Sequence, residues 1–338
     1  MTSPAPSVLR WDAQPGAGPA VVLLDQTRLP AVEVERVCGD VPTLVTAIRE
    51  LAVRGAPLLG IAGGYGVALA AARGDDVPAA AHALATARPT AVNLASGVAR
   101  VLAAWESAGA AGALAEAHAL SAEEDAASAG MATHGLTLVP DGARILTHCN
   151  TGALAVGGTG SAFAVALAAH RAGRLVQLWV DETRPLLQGS RLTAYEARRN
   201  GLPHSVLPDS AAAALMASGQ VDLILTGADR VAADGSVANK VGTYSLAVLA
   251  AHHGIPFVVV APRSTVDLST PDGAAIPVEQ RSAEEVTRHA GVQVAPPGTT
   301  AFNPAFDVTP PGLVTALVTE VGVVRPVNQE GLLRVMEM

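Results

Sequence analysis

Five apolar runs of strand length alternate with helix-forming stretches along the second half of the chain: RILTHC (144–149), LVQLWVD (175–181), HSVLP (204–208), VDLILTG (221–227) and PFVVVA (256–261). Runs that stay apolar residue after residue must be buried on both faces, and strands separated by helices pair in parallel. The pattern predicts an α/β fold with a mainly parallel sheet. Such sheets bind ligands at the carboxyl ends of their strands. The residues with most chemical character fall there: Cys149 and Asn150 after the first run, Asp181 and Glu182 after the second, Asp229 after the fourth, Pro262 and Arg263 after the fifth. Between the third and fourth runs, DSAAAALMASG predicts a helix with Asp209 as its N-cap.

The first 107 residues read differently. AVVLLDQTRLP and AVEVERVCGD have the length and composition of short strands. PTLVTAIRELAVRG has helical spacing at Leu44, Ile48 and Leu51, with a glycine stop at Gly55. APLLGIAGGYGVALAAARG predicts a second helix with Pro57 in its first turn, and its glycines mark close packing or close approach to a ligand. Residues 110–138, rich in alanine and glutamate, predict a long joining helix, and VPDG (139–142) a turn. A chain of 338 residues suits two domains of roughly 150 residues each. The expected division is a smaller, mostly helical domain with short strands over residues 1–125, contributing to the substrate site, and a catalytic domain over 126–338.

Composition narrows the function. Half of the residues are hydrophobic and 15% are charged, which excludes a disordered chain. A net charge of −8 without a lysine/arginine run argues against nucleic-acid binding. No uninterrupted apolar run reaches the roughly 18 residues of a membrane span, and MTSPAPSVLRW lacks the layout of a secretion signal, so neither a membrane nor an export role is expected. Two cysteines, Cys38 and Cys149, suit a reducing cytoplasm. No cysteine/histidine cluster has zinc spacing, and adjacent His252 and His253 cannot face one ion, so no metal is expected.

Several motifs carry alternatives. GGTGSA (157–162), with Asp181 about 20 residues on, faintly suggests a dinucleotide loop. However, the third glycine is missing and the loop comes too late after the strand, which favours small residues packing a helix. VRGAP (53–57) puts Arg54 and exposed amides before a helix, either a phosphate cradle or a plain turn. RPTAVNL (88–94) offers Arg88, and ANKVG (238–242) offers Asn239 and the chain's one lysine, Lys240, at an expected helix start. Asp229, closing an apolar strand, is either a desolvated general acid or a helix cap or partner for Arg230. Cys149 is either a small buried hydrophobe or an activated acid/base.

Taken in order, VRGAPLLGIAGGYG, RPTAVNL, ILTHCNTGALA, DETRPLLQGSRLTAYE, GADRVAADGSVANKVGTYSLAVLA and FNPAFDVTP closely resemble the methylthioribose-1-phosphate isomerases of methionine salvage, relatives of the regulatory subunits of eukaryotic initiation factor 2B. The resemblance runs from LLDQTRLP to VTEVGVV. It implies a homodimeric aldose–ketose isomerase of a sugar 1-phosphate, with a small N-terminal domain and a Rossmann-like C-terminal domain, using neither metal nor dinucleotide. It places substrate binding on Arg54, Gly55, Ala56, Arg88, Gln188, Asn239 and Lys240, and catalysis on Cys149 and Asp229. Two positions depart from the family's usual pattern: Val180 before DETRP, and Ser210 where asparagine is frequent. Related sugar 1-phosphates, or a noncatalytic regulatory role, are the alternatives.

Overall fold

The computed structural model describes residues 7–13, 18–88 and 91–338. They form two compact units: Met1–Ala129 with Thr151–Gly160, and Gly130–Asn150 with Ser161–Met338.

The first unit opens with an antiparallel three-stranded sheet, β1 (Leu9–Asp12), β2 (Ala20–Leu24) and β3 (Glu35–Cys38), in that order. β2 is buried throughout and, with Cys38 of β3, joins the sheet to the core. Helix α1 (Val41–Arg49) starts at Asp40, whose carboxylate accepts the Thr43 N–H. The helix stops at Arg49 rather than at the expected Gly55, because Leu51 already turns left-handed at φ 63°. Gly55 instead caps the start of α2 (Ala56–Arg73), at φ 98° and ψ 137°. Pro57 does sit in the first turn of α2, and Gly74, left-handed, ends it. By length and composition α2 could cross a bilayer, a feature that counting uninterrupted apolar runs passes over. Its apolarity is explained by burial of Pro57 through Ala70 in the core, with Leu44, Ile48, Leu84 and Leu94.

Close packing accounts for the α2 glycines. A methyl on Gly63 would strike Leu94 and Val98, and one on Gly66 would strike Leu84 and Leu44. Helix α3 (Val77–Ala85) is capped by Asp76, and helical residues Val92–Leu136 form α4, interrupted at Gly109 (φ 65°, ψ −157°). The last stretch of the unit holds α5 (Ala153–Val156) and the turn of Gly157, Gly158 and Gly160, all at positive φ.

The second unit is built on a seven-stranded sheet. Its strands are β4 (Ala143–Thr147), β5 (Leu175–Asp181), β6 (His204–Leu207), β7 (Leu223–Thr226), β10 (Phe257–Val260), β15 (Ala316–Val318) and β16 (Val323–Val324). They lie in the order β16-β15-β10-β7-β4-β5-β6, parallel except for β16. β7 and β10 are buried at every residue, as runs apolar on both faces require. Helices α6 (Ala162–Arg171), α7 (Ala194–Arg199), α8 (Ala212–Ala217), α9 (Thr243–His253), α10 (Glu284–Thr287) and α11 (Gln329–Met336) connect and follow the strands.

A smaller four-stranded sheet, β11-β8-β9-β14, was not foreseen; it comprises β8 (Arg230–Ala232), β9 (Val237–Lys240), β11 (Val266–Asp267) and β14 (Phe306–Thr309). A two-stranded ribbon joins β12 (Arg288–His289) to β13 (Val292–Gln293). Lys240 therefore ends a strand instead of starting a helix; α9 begins three residues later. Nor does Asp209 cap a helix. Its two carboxylate oxygens accept the backbone N–H groups of Thr183 and Arg184, and Pro208 stands at the cap position.

Candidate active site

β4 and β7 are adjacent and parallel in the seven-stranded sheet, so the residues that follow them emerge side by side at its carboxyl edge. Cys149 comes two residues after β4 and Asp229 three residues after β7. Cys149 is buried at 9% exposure and holds a left-handed backbone, φ 62°. That conformation costs a side-chain-bearing residue roughly 1–2 kcal/mol, so something must hold it. Two threonines do. The Cys149 N–H donates to Thr183 Oγ1 at 2.8 Å, and Thr193 Oγ1 donates to the Cys149 carbonyl at 2.6 Å. Asn150 is fixed beside it by donating to Glu196 Oε2 at 2.6 Å.

His148, between β4 and Cys149, is 1% exposed and tied at both ring nitrogens, to Asp181 Oδ2 at 3.1 Å and to the Val241 carbonyl at 2.9 Å. Burial opposes a charge on His148, yet Asp181, Asp209 and the Val241 carbonyl hold its pKa above the usual imidazole value. Burial likewise pushes Asp181 up, against the lowering pull of His148. His148, Asp181 and Asp209 place possible ligand atoms within 4.8 Å of one another. Both His148 nitrogens, Asp181 Oδ2 and both Asp209 oxygens are already engaged in hydrogen bonds, so the group is a hydrogen-bonded network.

Asp229 is half-buried in the bend between β7 and β8, and its N–H donates to the Ala238 carbonyl, which sets it against β9. Strand β8, not a helix, follows it, and Arg230 pairs with Asp267 at 3.5 Å. Asn239 is buried on β9 and donates to Thr243 Oγ1; Lys240 Nζ donates to the Ala305 carbonyl at 2.8 Å and lies 5.5 Å from the centre of the Phe306 ring. Gln188 is buried at 5% exposure, and its Oε1 has no hydrogen-bond partner among the described residues. A buried acceptor left this way costs about 1–3 kcal/mol, which a substrate hydroxyl would recover. At the end of β10, Arg263 pairs with Glu320 at 3.0 Å, a structural role.

In the first unit, Arg54 and Ala56 flank Gly55, which holds a positive φ. A Cβ at Gly55 would fall 2.5 Å from the Ala155 Cα and nearer still to its carbonyl oxygen, so only glycine fits where the α2 amides begin. Arg88 is half-buried; Pro89 and Thr90 of its motif lie outside the described residues. The GGTGSA glycines shape a turn after α5, with Gly160 pressed against Gly152. His148, Thr183, Thr193 and Asp307 escaped the sequence reading, although His148 and Thr183 sit at strand ends where the parallel-sheet rule points.

The model of the initiation factor 2 subunit family matches residues 52–326. A curated relative from Anaeromyxobacter sp. (strain K), methylthioribose-1-phosphate isomerase, is 53% identical over 315 residues, covering 92% of this chain and 93% of its own. The crystal structure of 5-methylthioribose 1-phosphate isomerase from Pyrococcus horikoshii OT3 superposes with a TM-score of 0.91 at 38% identity, covering 98% of this chain and 96% of the other. A structure titled translation initiation factor eIF-2B, subunit delta, from A. fulgidus gives a TM-score of 0.84 at 39% identity, covering 98% and 100%. The chain belongs to the initiation factor 2 subunit family, within its methylthioribose-1-phosphate isomerase branch.

Proposed function

We propose that this protein is an aldose–ketose isomerase of methionine salvage, converting 5-methylthio-α-D-ribose 1-phosphate into 5-methylthio-D-ribulose 1-phosphate. The observation that carries the reading is the emergence of Cys149 and Asp229 from adjacent parallel strands, in a chain 53% identical to a relative of that name. The C1 phosphate ester blocks the free aldehyde through which ordinary sugar isomerases work. The ring must therefore open while C1 stays esterified. In our reading Asp229 gives a proton to the ring oxygen as its bond to C1 breaks. The C2 hydrogen moves to C1 and the 2-hydroxyl loses its proton, leaving a ketone at C2. Cys149 carries that hydrogen as a proton, or supports the charge if it moves as hydride.

Arg54, the amides of Gly55 and Ala56, Arg88 and Lys240 hold the phosphate and offset developing charge. Gln188 and Asn239 orient the hydroxyls. In this scheme residues 1–125 supply phosphate contacts and 126–338 carry the chemistry, in a homodimer working in the cytoplasm. The test is incubation with 5-methylthioribose 1-phosphate, 5-deoxyribose 1-phosphate and ribose 1,5-bisphosphate, with no cofactor added, following aldose loss and ketose gain by NMR. Turnover of the first in preference to the others supports the reading. Turnover of none would favour a regulatory subunit, as the likeness to the A. fulgidus structure allows.

A further inference from the structure

His148 stands where two segments of the proposed site meet. On one side the next residue is Cys149, on the other the Nε2 contact reaches Val241, the residue after Asn239 and Lys240. We propose that the buried His148–Asp181 pair is a positioning element of the isomerase: with one proton held between the two side chains, it locks the Cys149 turn to the Val241–Gly242 turn. The inference rests on the isomerase reading for its kinetic consequences and on geometry alone for the lock.

The protonation state follows from the partners. A carbonyl oxygen can only accept, so the Val241 contact requires the proton on Nε2. Nδ1 then faces Asp181 Oδ2 at 3.1 Å. A lone pair cannot face a carboxylate oxygen at that distance without a proton between them. Whether that proton rides on nitrogen or oxygen, the pair titrates as one unit. Asp181 Oδ1 is buried without a hydrogen-bond partner among the described residues, which makes a second free charge in this place costly.

The groups around the pair close the lock. Asp209, near both, is occupied by the Thr183 and Arg184 amides, and Thr183 Oγ1 in turn receives the Cys149 N–H. Asp307, from β14, accepts the Gly242 and Tyr244 N–H groups and so pins the same turn from the other side. Burial raises Asp307, against the lowering pull of the Gly242 and Tyr244 N–H groups and, less, of His148; Glu182 adds negative charge near Asp181. Gly242, at φ 108°, lies so close that a Cβ there would come within 2.7 Å of His148 Cε1. Only glycine fits beside the imidazole at this point.

The test has two arms. Without substrate, the protein carrying 15N-labelled histidine should show His148 with a proton fixed on Nε2 from pH 6 to pH 9, and Asp181→Ala should change the Nδ1 signal. A His148 ring with a bare Nε2 overturns the proposal, whatever the enzyme's substrate. In the kinetic arm, His148→Gln places an amide near Nε2 and keeps the Val241 bond while losing Asp181. We expect kcat down about 10–100-fold with KM within about twofold, because a small misplacement of a reacting group costs on that scale. Asp181→Ala should give the same split, and His148→Ala should also raise KM. Equal changes in kcat and KM for all three variants, or His148→Ala folded with both constants within twofold of the parent, would overturn it. A parent that shows the fixed proton yet turns over no sugar phosphate would remove the isomerase reading and leave the lock standing.

Discussion

Replacing Gly55 with alanine tests the proposed phosphate-side geometry most severely. The backbone at φ 98° and ψ 137° lies in territory that only glycine occupies freely, which costs alanine about 1–3 kcal/mol. The new methyl also collides with backbone, 2.5 Å from the Ala155 Cα and closer to its carbonyl oxygen. Backbone cannot rotate aside as a long side chain can. Either α5 or the start of α2 must move, at about 1–3 kcal/mol for overpacking of this kind. The sum is roughly 2–6 kcal/mol, with about 4 as its centre, and at about 2–4 °C per kcal/mol the melting temperature should fall by about 8–16 °C. Gly74→Ala is the internal control. It also sits at positive φ, 77°, but nothing lies within 4 Å of an added methyl, so it should lose only the backbone share, about 1–2 kcal/mol. Urea titration of both variants separates the two contributions, and initial rates on the sugar phosphate report whether Arg54 and the neighbouring amides have shifted, as a raised KM. If Gly55→Ala loses no more stability than Gly74→Ala, the argument for a forced close approach is wrong.

Asp229→Asn and Cys149→Ala should each lower turnover by about 10²–10⁴ with the fold intact by circular dichroism, as expected for an acid–base group; near-normal turnover in either removes that residue from the chemistry. Arg54→Ala should raise KM for the sugar phosphate with a smaller change in kcat, and an unchanged KM takes it out of the phosphate site. Burial pushes the Cys38 thiol up to about 11, so alkylation of the native protein at pH 8, read by peptide mass spectrometry, should leave it unmodified; fast labelling there would contradict its burial. Hydrogen bonding to Arg144 holds Asp222 below the usual carboxylate range, so its stabilisation is present above the unfolded pKa and lost as pH falls through the lower folded value. Asp222→Asn should therefore weaken the protein in urea at pH 7, and the difference from the parent should shrink as the medium is taken into strong acid.

What the sequence disclosed depends on whether the deciding interaction is local. The parallel sheet was legible because each strand announces its own burial: β7 and β10 are apolar at every position. The strand-end rule then placed Cys149 and Asp229 at the sheet's carboxyl edge, together with Asn150, Asp181, Glu182, Pro262 and Arg263, without any knowledge of their neighbours. Capping is local where donor and acceptor lie three residues apart, as at Asp40 and Asp76. The N-cap expected at Asp209 from spacing did not form, because amides 25 and 26 residues away on the Thr183 turn take its oxygens. The helix stop expected at Gly55 also moved, to the left-handed Leu51 four positions earlier.

The roles that escaped notice are those made only by assembly. His148 is one ordinary imidazole in the sequence, and Asp181 one carboxylate at a strand end. Parallel pairing of β4 with β5 aligns Thr147 with Val180 and so brings the next residues, His148 and Asp181, level. The hairpin of β8 and β9, itself unforeseen, delivers the Val241 carbonyl to the other ring nitrogen. Only with both partners present is a proton required on the nitrogen facing the Val241 carbonyl and another between the ring and Asp181. The chemistry of this site is therefore divided by scale: the groups assigned to the reaction are visible from their strand positions, while the groups that hold them still are defined by register. A substitution that preserves every assigned residue but slips β5 by one position would leave the list of assigned groups unchanged and dismantle the arrangement that holds them.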